Sequence, residues 1–116
     1  SVVCATGAAH IPAVGSVRKR HDEPVGPAAA TEFLATSISS GGDGGEVLTE
    51  SAQRLKDGSP HIDLLRQQRG YQTFDITPTE WLADIKVMDR VQQAGGQIST
   101  LARYSVTPDA PGPRRA

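Results

Sequence analysis

Residues 74–88, Phe74-Asp75-Ile76-Thr77-Pro78-Thr79-Glu80-Trp81-Leu82-Ala83-Asp84-Ile85-Lys86-Val87-Met88, decide the fold class. Phe74 and Ile76 alternate with polar neighbours, the period of a strand that buries one face. Thr77-Pro78-Thr79-Glu80 supplies a turn with proline at its second position, where the ring's fixed φ suits the bend. Trp81, Ala83, Ile85, Val87 and Val91 then share one face of a returning strand, which makes the pair a hairpin. Gly95-Gly96 turns the chain again, and Ile98, Ala102, Tyr104 and Val106 line one face of a third strand. An antiparallel three-stranded meander is expected, with the Pro/Gly-rich residues 108–116 as a flexible tail.

Working upstream, the hairpin is preceded by a less regular half. Ser1-Val2-Val3-Cys4-Ala5-Thr6 is a short apolar, β-prone run that stops at Gly7 and reads as a buried strand feeding a loop. From Gly7 to Pro27 no period of 2 or 3.6 is sustained, and the segment reads as irregular. Glu32 to Ile38 is a second strand candidate, bounded by Ser39-Ser40-Gly41-Gly42-Asp43-Gly44-Gly45, which must turn the chain. Asp43 with Glu46 suits a capping box for a helix whose one face carries Val47, Leu48, Ala52 and Leu55, ended by Gly58-Ser59-Pro60. The fold class is α+β, mostly antiparallel.

Composition narrows the function. The chain has 116 residues with 37% apolar side chains and five aromatics, a thin supply for a core and a reason to expect a partner surface. Twelve Lys and Arg against thirteen Asp and Glu leave a net charge of −1, with no field to gather nucleic acid or an anionic membrane. The basic clusters, Arg18-Lys19-Arg20 and Arg114-Arg115, read as solvated chain. Cys4 is the only cysteine and forms no internal disulfide. No apolar run reaches the roughly 18–20 residues that span a bilayer, and the amino terminus shows no signal-peptide pattern. The chain begins at Ser1 and its only methionine is Met88, so an upstream region is expected.

Thr31-Glu32-Phe33-Leu34-Ala35-Thr36-Ser37-Ile38-Ser39-Ser40-Gly41-Gly42-Asp43-Gly44 resembles the Thr-Glu-Phe-x-x-Thr-Ser-Ile-Ser-Ser-Gly-Gly signature of alkaline phosphatase D-type (PhoD-like) metallophosphatases. Pro60-His61-Ile62, Gln68-Arg69-Gly70-Tyr71, and Thr77-Pro78 followed by Trp81, Ala83 and Asp84 are similar to that family's next blocks, in the same order. The resemblance covers Thr31 to about Val106. It implies that residues 1–107 are the carboxyl-terminal part of a calcineurin-like metallophosphatase two-sheet sandwich, with the meander closing it. It further implies a metal-dependent hydrolase of phosphomonoesters and phosphodiesters, an iron and calcium centre, and a secreted or cell-envelope location.

Thr6-Gly7-Ala8-Ala9-His10 is similar to the family's Thr-Gly-Asp-x-His motif, whose Asp and His bind metal. His10 keeps the imidazole, while Ala8 stands where the carboxylate belongs, and a methyl group coordinates no cation. Asp22 is the first carboxylate in the chain, so no local shift restores an oxygen ligand. The family's other ligands lie on earlier strands. His10 is thus the one metal-ligand candidate, set against a solvated loop histidine or a substituted remnant, and no catalytic residue is assigned. The chain alone is expected to be inactive, to bind no metal stably, and to need the amino-terminal remainder of the fold or to self-associate. The strands at Ser1–Thr6 and Glu32–Ile38 are expected to leave unpaired edges. The alternative is a small non-catalytic interaction or structural module derived from that fold.

Other features carry plainer readings. Cys4 reads as a small buried hydrophobe, since Cys4 and His10 together are two ligands, short of the four of a structural zinc. The Ser39–Gly45 glycines invite a phosphate cradle, but Asp43 and Glu46 would repel the anion, which favours a structural turn and cap. His61, Arg69 and Tyr71 read as hydrogen-bonding groups between strands, and Trp81 as a packing residue.

Overall fold

A computed structural model describes residues 1–23 and 26–116. The hairpin lies where the sequence puts it: β5 (Gly70–Ile76) pairs antiparallel with β6 (Trp81–Met88) in the register Phe74 to Ala83 and Ile76 to Trp81. Thr77 closes the turn through its hydroxyl, which accepts from the Glu80 amide at 3.0 Å. The third strand, β7 (Ile98–Thr107), pairs with β6. A register shift after Ile85 puts Ala102, Tyr104 and Val106 in the core but leaves Ile98 exposed. Val91, expected on the β6 face, lies beyond the end of that strand.

The stretch expected as a flexible tail is instead a fourth strand, β8 (Ala110–Arg115), paired with β7. Its two prolines are tolerated because β8 is an edge strand and gives up few ladder bonds. The meander is therefore four-stranded, in the order β5-β6-β7-β8.

The upstream half forms the second sheet, in the order β1-β3-β2-β4. It contains β1 (Val2–Thr6), β2 (Ala13–Arg18), β3 (Ala28–Leu34) and β4 (Ile62–Leu65). β1 matches its expected span, and β3 runs parallel to it, with β2 antiparallel to both β3 and β4. Two expectations need correction. Gly7–Pro27 is not irregular throughout, since it contains β2; the part of that expectation on Pro24 and Val25 lies outside the described residues. Gly15 hid the strand, because glycine is a weak strand former, yet a Cβ there would sit 2.9 Å from the His61 carbonyl oxygen. The second strand ends at Leu34 instead of Ile38 and is interior, paired on both sides, not an unpaired edge.

The helix is shorter than expected: α1 (Glu50–Asp57) is capped by Thr49, whose hydroxyl accepts from the Ala52 amide, not by Asp43. Four glycines from Gly41 to Gly45 hold positive φ, which ends any helical start there. A Cβ on Gly44 would lie 1.7 Å from the Gln67 carbonyl oxygen, so this turn admits no other residue. No residue of α1 is buried, and Val47 and Leu55 are exposed.

The two sheets face each other as a sandwich. Val14, Phe33 and Leu64 of one pack on Ala83, Ile85, Ala102, Tyr104 and Val106 of the other. Phe33 touches Phe74 and Tyr104 with ring centroids 5.5 and 6.5 Å apart, so few aromatics suffice to fill the centre. Burying one such ring stabilises by roughly 1.5–3 kcal/mol. Among the described residues, no helix is long and apolar enough to cross a membrane.

Candidate functional site

β1 and β3 are the parallel pair, and they run out at the same end of the sheet. The region beyond the carboxyl ends of parallel strands is where open sheets collect ligands, because loops from both strands converge there. The Ala35 amide donates to the Thr6 carbonyl at 2.8 Å, so the two loops leave side by side. Residues 7–11 form one loop and the Thr36–Gly42 segment of the signature forms the other.

His10 is at their meeting point. Its carbonyl accepts from the Thr36 hydroxyl at 3.0 Å, and its Nδ1 pairs with the Ser40 Oγ at 3.3 Å. Its φ is +56°, a left-handed conformation that costs a residue with a Cβ on the order of 1 kcal/mol. Histidine is thus held in a strained backbone with one ring nitrogen engaged, the arrangement in which a hydrogen bond on Nδ1 orients Nε2 toward a ligand.

The second loop is braced from beneath. The Ser37 hydroxyl donates to the Ser40 carbonyl at 2.6 Å. Arg69, only 4% exposed, donates from Nη1 to the Ser37 Oγ at 2.8 Å and to the Ser40 carbonyl at 2.7 Å, and from Nη2 to the Gln67 carbonyl. Arg69 therefore acts as the expected hydrogen-bonding group, tying the start of β5 to the loop that carries Ser40. Ser37, Ser40 and Thr36 were legible as part of the signature, but nothing in their spacing showed that Thr36 and Ser40 grip His10 while Ser37 braces the loop.

Glu32 accepts from the Thr6 hydroxyl at 3.0 Å on the outer face of the sheet. His61 and His21 line a groove of about 330 Å³ with Glu32, over β2. Tyr71 is exposed on β5, Cys4 is half-buried rather than buried, and Trp81 packs on Phe74 at 5.0 Å. Asp43, read as a helix cap, accepts instead from the Val91 and Gln92 amides at 2.7 and 3.0 Å. These hydrogen bonds hold its carboxyl below the usual carboxylate range.

His10 with Ala8 beside it does not make a donor set for a multi-metal centre. One imidazole with neutral hydroxyls falls short of the oxygen-rich ligand shells of hard cations. Among the described residues, no three His, Cys, Asp or Glu side chains come together as a metal-holding group.

The family model described as PhoD-like phosphatase matches residues 1–85. Alkaline phosphatase D of Bacillus subtilis (strain 168) is 34% identical over 115 residues, which is 99% of this chain and 20% of the relative. A solved structure titled "Structure of PhoD" superposes with a TM-score of 0.89 at 31% identity, covering 99% of this chain and 22% of that one. The chain thus spans about a fifth of the length of the relatives it matches. With most of its residues inside the family model, and both sheets matched in a solved relative, this chain belongs to the PhoD-like phosphatase family.

Proposed function

We propose that this chain is the carboxyl-terminal segment of a metal-dependent phosphoester hydrolase of calcineurin-like architecture, and that it contributes one edge of the site, not the whole centre. The observation that carries the reading is His10, strained and oriented by Ser40 and Thr36 beyond the ends of the parallel strands, with Ala8 at the carboxylate position. The remaining ligands, for iron and calcium, come from the part of the family fold outside this chain. β1 suits that attachment, as the outermost strand of its sheet with Val2 60% exposed. The whole protein acts on phosphomonoesters and phosphodiesters at a secreted or cell-envelope location. This chain alone is inactive, and pairs with the remainder or with itself.

A second reading, a small non-catalytic module, is favoured by one observation. Both faces of the central core come from this chain, so the sandwich closes without a partner.

The deciding measurement is hydrolysis of bis(4-nitrophenyl) phosphate and 4-nitrophenyl phosphate with added iron and calcium. Three samples are compared: the chain alone, its His10→Ala variant, and the chain mixed with a polypeptide carrying the rest of a family member. The expected result is no turnover by the chain alone and turnover by the mixture, reduced at least tenfold or so by His10→Ala. Metal-dependent turnover by the chain alone, abolished in the variant, overturns the incomplete-centre reading. A silent mixture containing folded chain supports the module.

A further inference from the structure

Arg69 is a buried cation, 4% exposed, that forms no ion pair among the described residues. Its three hydrogen bonds all end on neutral acceptors: the Ser37 Oγ, the Ser40 carbonyl and the Gln67 carbonyl. Its Nε is buried and unpartnered among the described residues. Taking an unpaired charge out of water costs free energy that an apolar side chain of the same volume would not. Packing alone therefore does not explain an arginine at this position. What sets it apart from methionine or leucine is the planar fork, which donates to two segments at once.

The surroundings bring that fork under the loop that carries Ser40. The Arg69 carbonyl accepts from the Met88 amide at 2.8 Å, and the Gly70 amide donates to the Ser37 carbonyl at 3.2 Å. The backbone here is thus pinned to β6 on one side and to the signature loop on the other. A Cβ on Gly41 would lie 2.8 Å from the Arg69 Nη1, so the glycine directly after Ser40 leaves the space that the guanidinium fills. The Ser40 carbonyl accepts from Nη1 at 2.7 Å and from the Ser37 hydroxyl at 2.6 Å, while Ser37 itself accepts from Nη1 at 2.8 Å. The Ser40 peptide cannot turn without breaking two hydrogen bonds. Its side-chain Oγ is the atom 3.3 Å from the His10 Nδ1, and His10 is exposed, with Ser40 the one hydrogen-bond partner of its ring among the described residues.

We propose that Arg69 is a positioning residue for His10: by holding the Ser40 carbonyl and the Ser37 hydroxyl from beneath, it keeps the Ser40 Oγ on Nδ1 and so sets which imidazole nitrogen is left free at the site. Arg69 acts through Ser40 and makes no hydrogen bond to the ring itself. Its consequence for catalysis rests on the hydrolase reading, in which His10 presents that free nitrogen to the shared site. A neutral imidazole carries one proton, so a fixed hydrogen bond at Nδ1 selects one tautomer, whereas a released ring exchanges between the two.

The test reads the ring, not turnover. Long-range proton–nitrogen correlation spectra of the isotope-labelled full chain are recorded at about pH 8.5, where imidazoles are ordinarily neutral. Ser40→Ala gives the released limit, with the His10 ring nitrogens near those of the exposed His21. Arg69→Gln should move the wild-type signals most of the way to that limit. Should Arg69→Gln fail to fold, Ser37→Ala, which removes one acceptor of Arg69 and buries no new charge, should move them in the same direction. Tyr104→Phe, which weakens the sandwich through Asp63 instead, should leave them at the wild-type position. A merely structural arginine would make Arg69→Gln behave like Tyr104→Phe. Unmoved signals in folded Arg69→Gln, or in Ser37→Ala where it stands in, or coincident spectra of wild type and Ser40→Ala, overturn the proposal. The reconstituted mixture is assayed in parallel with the wild-type and Arg69→Gln chains. Moved ring signals with a mixture silent even for wild type retain the positioning and sink the hydrolase reading, whereas unmoved signals with equal turnover by both chains do the reverse.

Discussion

Asp43 shows how a side chain can be noticed in a sequence for the wrong reason. Its position three residues before Glu46 suits a helix cap, but its carboxylate is spent on the Val91 and Gln92 amides, far along the chain. Those bonds lower its folded pKa, while the unfolded chain keeps the ordinary value near 4. The stabilisation is therefore present above that unfolded value and is lost as pH falls through it toward the folded pKa. Asp84 and Asp109 are lowered too, so acid should destabilise the wild type through several groups. In urea unfolding followed from pH 6 to pH 2.5, Asp43→Asn should lose less stability on acidification than wild type. Parallel pH curves would remove Asp43 from this account.

At the scale of elements, β8 is where sequence and structure diverge most. Pro111-Gly112-Pro113 discourages a strand reading, yet the Gly112 amide donates to the Thr31 hydroxyl at 3.1 Å across the sandwich. Thr31 is fully buried on β3, so this bond couples the last strand to the middle of the other sheet. Thr31→Val keeps the shape and orphans the buried amide, which should cost about 1–3 kcal/mol in urea unfolding. Amide exchange of β8 should quicken more than that of the β5–β6 hairpin. An unchanged midpoint would show that the hydroxyl's bond contributes nothing net. By contrast, α1 buries no residue, and its loss should leave both sheets in place.

Across the whole molecule, Tyr104 joins the two sheets by more than its area. The ring is fully buried, its hydroxyl donates to Asp63 on β4 at 2.6 Å, and the Arg115 guanidinium lies 4.8 Å from the ring centroid. Burial, then the hydrogen bond to Asp63, raises the phenol's pKa beyond any physiological pH, so it stays a donor. Tyr104→Phe should lower stability by about 1 kcal/mol, since Asp63 is half-exposed and regains water. Tyr104→Ala should cost roughly 3–5 kcal/mol by opening a cavity between the sheets. If the two variants were equally stable, the ring's packing would not be what holds the sandwich.

The residues alone determined the hairpin, the inward faces of β6 and most of β7, the span of β1, and the family, because alternation and a contiguous signature are local properties. They also determined that position 8 offers no ligating side-chain atom, since alanine ends in a methyl group. Only the tertiary structure decided that β2 and β8 are strands, for Gly15 and the Pro111–Pro113 stretch are tolerated by long-range contacts with His61 and Thr31. It alone decided that Thr36 and Ser40 hold His10. Parallel pairing of β1 and β3, which are distant in sequence, brings those loops together, and no local periodicity records that pairing.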